Sequence, residues 1–272
     1  MKKCDININS NKRKHVIVLT LHGIYSELLP REILENPATQ KYTISPSLFN
    51  KTIEIASKFK CVTISELSKL CTDSEIVLTF DDGLITDYEI AFPALANKDI
   101  PATFFVSVGN IGKNGYCNKK QLREMLENGM EIGSHGWTHE YLTNMSEKQV
   151  YKEIVNSKLW LEQELATEIQ SYAPVGGHYR KWMKTLSFNH GYKSFVTMVP
   201  GTVPSKHQLS KIKRNHLQAQ YTENDVLKLF NQEKLIILKN KLRYYSLIAP
   251  KIILGMQTYD RLKQHVQNIK TR

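Results

Sequence analysis

The chain has 272 residues, 41% hydrophobic and 23% charged, with a formal net charge of +11. That length and balance describe one large globular domain or two small ones and exclude a disordered or fibrous protein. No run approaches the roughly 18 consecutive apolar residues of a membrane span. The charge is uneven: residues 1–14 carry five Lys/Arg against one acid, residues 222–272 carry ten against four, and the middle is nearly neutral. Met1–Lys14 lacks the apolar core of a secretory signal, and Cys4, Cys61, Cys71 and Cys117 form no CxxC pair. A reduced, cytoplasmic setting is expected, without a disulfide framework or a cysteine metal site.

His15–His22 is rich in β-branched residues and reads as a buried strand. Ser45-Pro46 starts a helix whose face carries Phe49, Ile53, Ala56 and Phe59. Glu75–Phe80 is a second strand, followed by a turn at Asp81-Asp82-Gly83 and a helix over 86–97. Ala102–Val106 is a strand, Asn118–Asn128 a helix stopped by Gly129, and Met130–Gly133 a short strand. Ser146 and Gln149 form a capping box at the head of a long helix. Short strands follow near Ile169–Ala173, Ser194–Thr197 and Lys211–His216, with a helix around Tyr179–Asn189 and another capped at Thr222–Asp225.

Repeated βα units imply an α/β fold with a parallel sheet, closed or nearly closed into a barrel. The expected organisation is a basic tail at 1–14, a catalytic barrel over 15–221 and a basic helical extension over 222–272. In such barrels chemistry gathers at the C-terminal ends of the strands.

Two polar clusters follow predicted strands. In Thr79-Phe-Asp81-Asp82-Gly83, adjacent carboxylates project to opposite sides of the backbone and can do different work, although Asp-Gly alone also marks an ordinary turn. In Gly133-Ser-His135-Gly-Trp-Thr-His139, the four-residue spacing places both imidazoles on one face of a helical turn, able to grip one ion. One Asp and two His leave coordination positions open, the pattern of a catalytic metal site.

Thr79–Gly83, Pro101-Ala-Thr-Phe-Phe-Val106 and Ser134–His139, in this order and at these distances, resemble the polysaccharide deacetylase family, carbohydrate esterase family 4. The likeness is close over about 78–145 and looser over 15–217. It implies a distorted, incomplete TIM-like (β/α) barrel that hydrolyses N-acetyl groups on amino sugars with a divalent metal. By the family pattern Asp82, His135 and His139 hold the metal, and Asp81 is the general base that takes a proton from the attacking water. The third family motif supplies an Arg that orients the base, but the aligned segment Tyr172-Ala173-Pro174-Val175-Gly176-Gly177 holds Ala173 there. Backbone N–H groups near Val175 and Gly176 are candidates for the oxyanion.

A period of two places Ile212, Arg214 and His216 on one face of the last strand. Arg214 is therefore the candidate replacement cation beside Asp81, and His216 the candidate proton donor to the leaving amine. His22 is a candidate pocket or substrate residue at the end of the first strand, His178 a rim residue, and Trp137 a platform for a sugar ring. Imidazole plus carboxylate suits Zn2+, with Co2+, Ni2+, Fe2+ or Mn2+ feasible.

The expected activity is removal of an acyl group, acetyl first, from an amino sugar in a glycan or a lipid- or nucleotide-linked precursor. A deformylase or other C–N amide hydrolase is the enzymatic alternative, and a catalytically degenerate glycan-binding or scaffold protein the non-enzymatic one. The basic C-terminal extension, with Lys228, Lys239, Lys241 and Arg243 near Leu235–Leu238, suits an anionic membrane surface at the inner face. No nucleic-acid module is present.

Overall fold

The apolar run His15–Leu21 forms strand β1, every residue after His15 fully buried. The structure, a computed structural model, describes residues 15–68, 75–204 and 209–254. The expected tail at 1–14 and positions 255–272 of the expected extension lie outside the described residues.

After β1 come helices α1 (Arg31–Leu34), α2 (Pro37–Tyr42) and α3 (Pro46–Ala56). The Ser45 side chain caps α3 by accepting the Leu48 N–H. Next are β2 (Ile76–Asp82), α4 (Phe92–Ala96), β3 (Thr103–Val106), α5 (Lys119–Glu127) and β4 (Glu131–Ser134). Asn118 with Gln121 and Ser146 with Gln149 form the capping boxes that start α5 and α6 (Glu147–Tyr151). α6 runs through a π-helical turn, Lys152–Asn156, into α7 (Ser157–Leu165). The remaining elements are β5 (Ser171–Tyr172), α8 (Lys181–Asn189), β6 (Ser194–Phe195), β7 (Val203–Pro204), β8 (Asn215–His216), α9 (Glu223–Phe230) and α10 (Lys234–Leu254).

The strands lie in the order β6-β5-β4-β3-β2-β1, with β8 on the far side of β1, and these seven run parallel. β7 pairs antiparallel with the first residues of β1. One parallel bridge, Val196↔Ile212, links the two ends of the curved sheet, so the barrel is distorted and its seam is very narrow.

Alternation along the strands separates two cores. Val16, Val18, Val77, Phe105, Ala173, Val196 and Ile212 fill the barrel interior as one cluster. Ile17, Leu19, Leu21, Leu78, Phe80, Phe104 and Ile132 face the helices and join the larger cluster. Gly133 makes the interior possible, because a Cβ there would stand 2.5 Å from the Phe105 ring. The strand-rich half is longer than the other. β1 and β2 run seven residues each, whereas β5, β6 and β8 have two, shorter than the runs predicted near 169–173, 194–197 and 211–216. Ile212 and Arg214 spend their backbone groups across the seam, on Phe195, Thr197 and Val199, rather than on a ladder with β1.

The first helix of the expected extension is tied to this body. Val226, Leu229 and Phe230 of α9 belong to the larger core, and the Phe230 and Phe59 rings stack at 5.9 Å. Among the described residues no helix is long and apolar enough to cross a membrane.

Candidate active site

Parallel strands place all their C-terminal ends on one side of the barrel. There His22 follows β1, Asp81 and Asp82 end β2, His135 follows β4, Ala173 follows β5 and His216 ends β8.

Asp81 continues the inward alternation of Val77 and Thr79 and meets Arg214 from the opposite wall. The contact is bidentate: Arg214 Nη1 donates to Oδ1 at 2.6 Å and Nη2 to Oδ2 at 2.9 Å, with both side chains almost wholly buried. The guanidinium also donates from Nε to the Thr197 carbonyl (3.2 Å) and from Nη1 to Thr79 Oγ1 (3.3 Å), and it lies 5.4 Å from the Phe105 ring centre. Burial alone would raise the Asp81 pKa. The Arg214 charge, with His135 and His22, overrides burial and holds the carboxyl at about 2. Each Asp81 oxygen keeps a lone pair for a further proton or donor.

Asp82 leaves the strand conformation, at φ +83, and Gly83 follows at φ +72. That left-handed step costs a non-glycine residue roughly 1–3 kcal/mol and turns the carboxylate to the barrel mouth. There Oδ1 stands 2.8 Å from His139 Nε2 and 3.5 Å from His135 Nε2. Burial works against the Asp82 carboxylate, but His139 and His135 hold its pKa well below the ordinary value. The same pairing raises the His139 pKa against the opposing effect of burial.

The two histidines converge without a helix. Residues 135–140 form a loop, with Gly136 at φ +85 and His139 at φ +63. The helical turn expected from the spacing is absent because its N–H groups point elsewhere. Glu153, buried at the π-helical turn, accepts from the Trp137 N–H (2.6 Å), the Thr138 N–H (3.0 Å) and the Thr138 hydroxyl (2.8 Å). A Cβ on residue 136 would come within 2.7 Å of Glu153 Oε2, so the approach needs glycine there. Sequence reading missed Glu153. Its signal was an acid on the apolar stripe of Val150, Ile154 and Leu161.

The donor set suits a divalent cation. His135 Nδ1 lies 2.6 Å from the Ala173 carbonyl, a contact that requires Nδ1–H and leaves the Nε2 lone pair facing Asp82. Ligand atoms bound at about 2.0–2.2 Å to one ion sit about 3.0–3.5 Å apart, and the 2.8 and 3.5 Å separations lie close to that range. Asp82, His135 and His139 form the one such three-residue cluster among the described residues.

The remaining candidates divide. His22 stacks on Tyr42 at 4.8 Å, and both rings lie 5.9 Å from His216. Tyr42 is a pocket residue that no sequence motif marks. His216 is buried with both ring nitrogens unpartnered, and burial, then the Arg214 charge, push its pKa well below 6.5. Ala173 offers its carbonyl to His135 and its N–H to the Ser134 carbonyl, and the cation paired with Asp81 is Arg214, 41 residues further on. Val175–Gly177 is a tight turn that uses the Gly177 and His178 N–H groups internally; those of Val175 and Gly176 are outside it. His178 packs edge-on against Tyr141 at 4.7 Å. Trp137 has Lys152 over its ring at 4.9 Å and Trp160 at its edge, so protein already covers part of the expected sugar platform.

The fold has close counterparts among solved structures. The deacetylase PplD of Streptococcus pyogenes, solved in complex with acetate, superposes with a TM-score of 0.69 at 23% identity over 80% of this chain and 99% of that one. Residues 71–195 match the model of the polysaccharide deacetylase family. The Bacillus subtilis (strain 168) protein YxkH is 30% identical over 151 residues, 53% of this chain and 53% of that protein. The peptidoglycan-N-acetylglucosamine deacetylase PgdA of Listeria monocytogenes (strain 10403S) is 29% identical over 132 residues, 48% of this chain and 28% of PgdA. The chain thus matches about half the length of YxkH and a smaller share of PgdA.

Proposed function

We propose that this protein is a metal-dependent hydrolase that removes an N-acyl group, acetyl first, from an amino sugar. The observation that carries this reading is one carboxylate locked as an anion by Arg214 beside a second carboxylate that shares a cluster with two imidazoles. Names of relatives such as PgdA, which acts on N-acetylglucosamine in peptidoglycan, support an acetylated amino sugar as substrate.

Asp82, His135 and His139 would hold the cation, which when bound would acidify the attacking water and supply positive charge for the developing oxyanion. Zinc suits the ligand set, and Co2+, Ni2+, Fe2+ and Mn2+ are the alternatives. Asp81 takes the proton of that water. Arg214 fixes the orientation of the base and keeps it ionised at any working pH, at the cost of some basicity. The N–H groups of Val175 and Gly176 face the oxyanion as a second source of positive charge. His216 hands to the leaving nitrogen the proton that Asp81 has taken from the water; burial and the Arg214 charge favour the neutral imidazole, so it holds that proton only in transit. His22 and Tyr42 wall the side of the site nearest His216.

The test is acyl release from acetylated and formylated amino sugars together with metal analysis. Acetate release that needs a stoichiometric divalent cation and disappears in Asp81→Asn supports the reading. Formate release instead gives the deformylase alternative, and bound metal with no turnover gives the glycan-binding one.

A further inference from the structure

A small cavity of ≈ 60 Å3 lies beside His216, walled by α10 as well as by the barrel. Its lining includes Lys41, His216, Gln218, Asn240 and Arg243, with no carboxylate among them. Neither cation is paired with an acid among the described residues.

The two amide oxygens of the wall are already used. Gln218 Oε1 accepts from Arg243 Nη1 and from Gln220 Nε2, and Asn240 Oδ1 accepts from the Tyr221 hydroxyl at 2.8 Å. The donors left for an occupant are the Lys41 ammonium, the free N–H groups of Arg243 and the Asn240 amide N–H2, beside the two unpartnered His216 ring nitrogens, one a donor and one an acceptor in the neutral ring. Asn240 and Gln218 are each less than a tenth exposed, so this is a built wall rather than a loose surface. A volume near 60 Å3 suits one compact polar group. His216 lines the cavity with both ring nitrogens unpartnered and ties it to the reacting end of the site.

We propose that this cavity is a subsite for an anionic substituent, a phosphate or a carboxylate, carried by the amino sugar whose acyl group is removed. The proposal rests on the deacylase reading and narrows its substrate to negatively charged amino sugars. α10 then has a part in recognition, because Arg243 and Asn240 come from it. Phosphate and carboxylate share the same demand for clustered donors, and only substrates can separate them.

Two measurements test the proposal. In the first, the rate constant kcat/KM is compared for a neutral acetylated glycoside, the same sugar as a 1-phosphate and the same sugar bearing a carboxylate ether. For Arg243→Gln and Lys41→Gln the ratio of charged to neutral substrate is expected to fall about tenfold or more, mainly through KM. The charged substrate with the larger loss identifies the anion. An unchanged ratio overturns the subsite. In the second, methyl phosphate and acetate are titrated into metal-free protein, which needs no turnover. Binding of either anion that weakens about fivefold or more in Arg243→Gln supports the subsite even if no acylated sugar is hydrolysed, an outcome that would sink only the deacylase reading. No binding of either anion to the wild type, or equal binding by both proteins, overturns the subsite directly.

Discussion

The two halves of the barrel hold their site residues by different means. In the β2–β4 half, three neighbouring strands are laddered over four residues at each pairing, and Asp81, Asp82 and the His135–His139 loop leave the ends of those ladders. In the closing half, β5, β6 and β8 have two residues each, and Arg214 is held by its own side-chain bonds to Asp81, Thr79 and Thr197. Backbone pairing positions the first group; a buried ion pair positions the second. The first should therefore lose chemistry when a side chain is cut. The second should lose chemistry and stability together.

The largest effect is expected from the proposed metal cluster, Asp82 with His135 and His139. Asp82→Ala should abolish stoichiometric cation binding and lower acyl release by about 10³-fold or more. Asp81→Asn should lower turnover by about 10²–10⁴-fold while the cation stays bound. Metal analysis beside the rate assay separates them. Retention of metal by Asp82→Ala would break the division of labour between the carboxylates.

Stability distinguishes the halves next. Arg214→Met leaves Asp81 buried without its partner, so a loss of about 3–5 kcal/mol in denaturant unfolding is expected. Pairing it with Asp81→Asn should cost less than the sum of the two singles, since the second removes the charge the first exposed. The ion pair also has a pH signature. Asp81 is depressed in the folded state, to about 2 against an ordinary 3.8. Its contribution is therefore complete above the unfolded value and disappears as pH falls through about 2. The size is about 2 kcal/mol. Unfolding measured at pH 5 and pH 3 should show wild type losing stability more steeply than Arg214→Met. A slope that is the same in both would mean that Asp81 does not depend on Arg214.

A smaller effect tests the loop. Glu153→Gln keeps shape but weakens the acceptor for Trp137 and Thr138, and metal affinity should fall about 10–100-fold with the fold intact. Unchanged affinity would show that the strained backbone at Gly136 and His139 is held from elsewhere.

The legible part of this protein was the half in which function is local. Thr79–Gly83 and Ser134–His139 each carry their site residues within a few positions, and the strands before them alternate clearly. Helix starts at Ser45, Asn118, Ser146 and Thr222 were also legible, because a cap is a contact over three residues. The loop conformation of His135–His139 was not, because a four-residue spacing does not reveal Glu153 drawing its N–H groups away. Nor did periodicity show Tyr42 or the cavity beside His216, which arise from α2 and α10 meeting across the chain. Arg214 was legible only as a face of a strand, and the residues before β8 that carry it make no ladder with β1.

Ala173 offers the sharpest test of how the closing half works. Its side chain and Phe105 share the barrel interior, and the Arg214 guanidinium stands over that Phe105 ring. An arginine at 173 and the one at 214 would therefore compete for one volume and for one carboxylate, which gives a single substitution opposite signs in two backgrounds. In the wild type, Ala173→Arg overpacks the interior and should cost about 1–3 kcal/mol. In Arg214→Ala the same change refills the vacated space and returns a cation to Asp81, so turnover should recover by about tenfold over the single variant. Thermal unfolding and acetate release on the four proteins read both signs. Equal harm in both backgrounds would mean that Asp81 needs its guanidinium from the β8 side, not merely a guanidinium within the barrel.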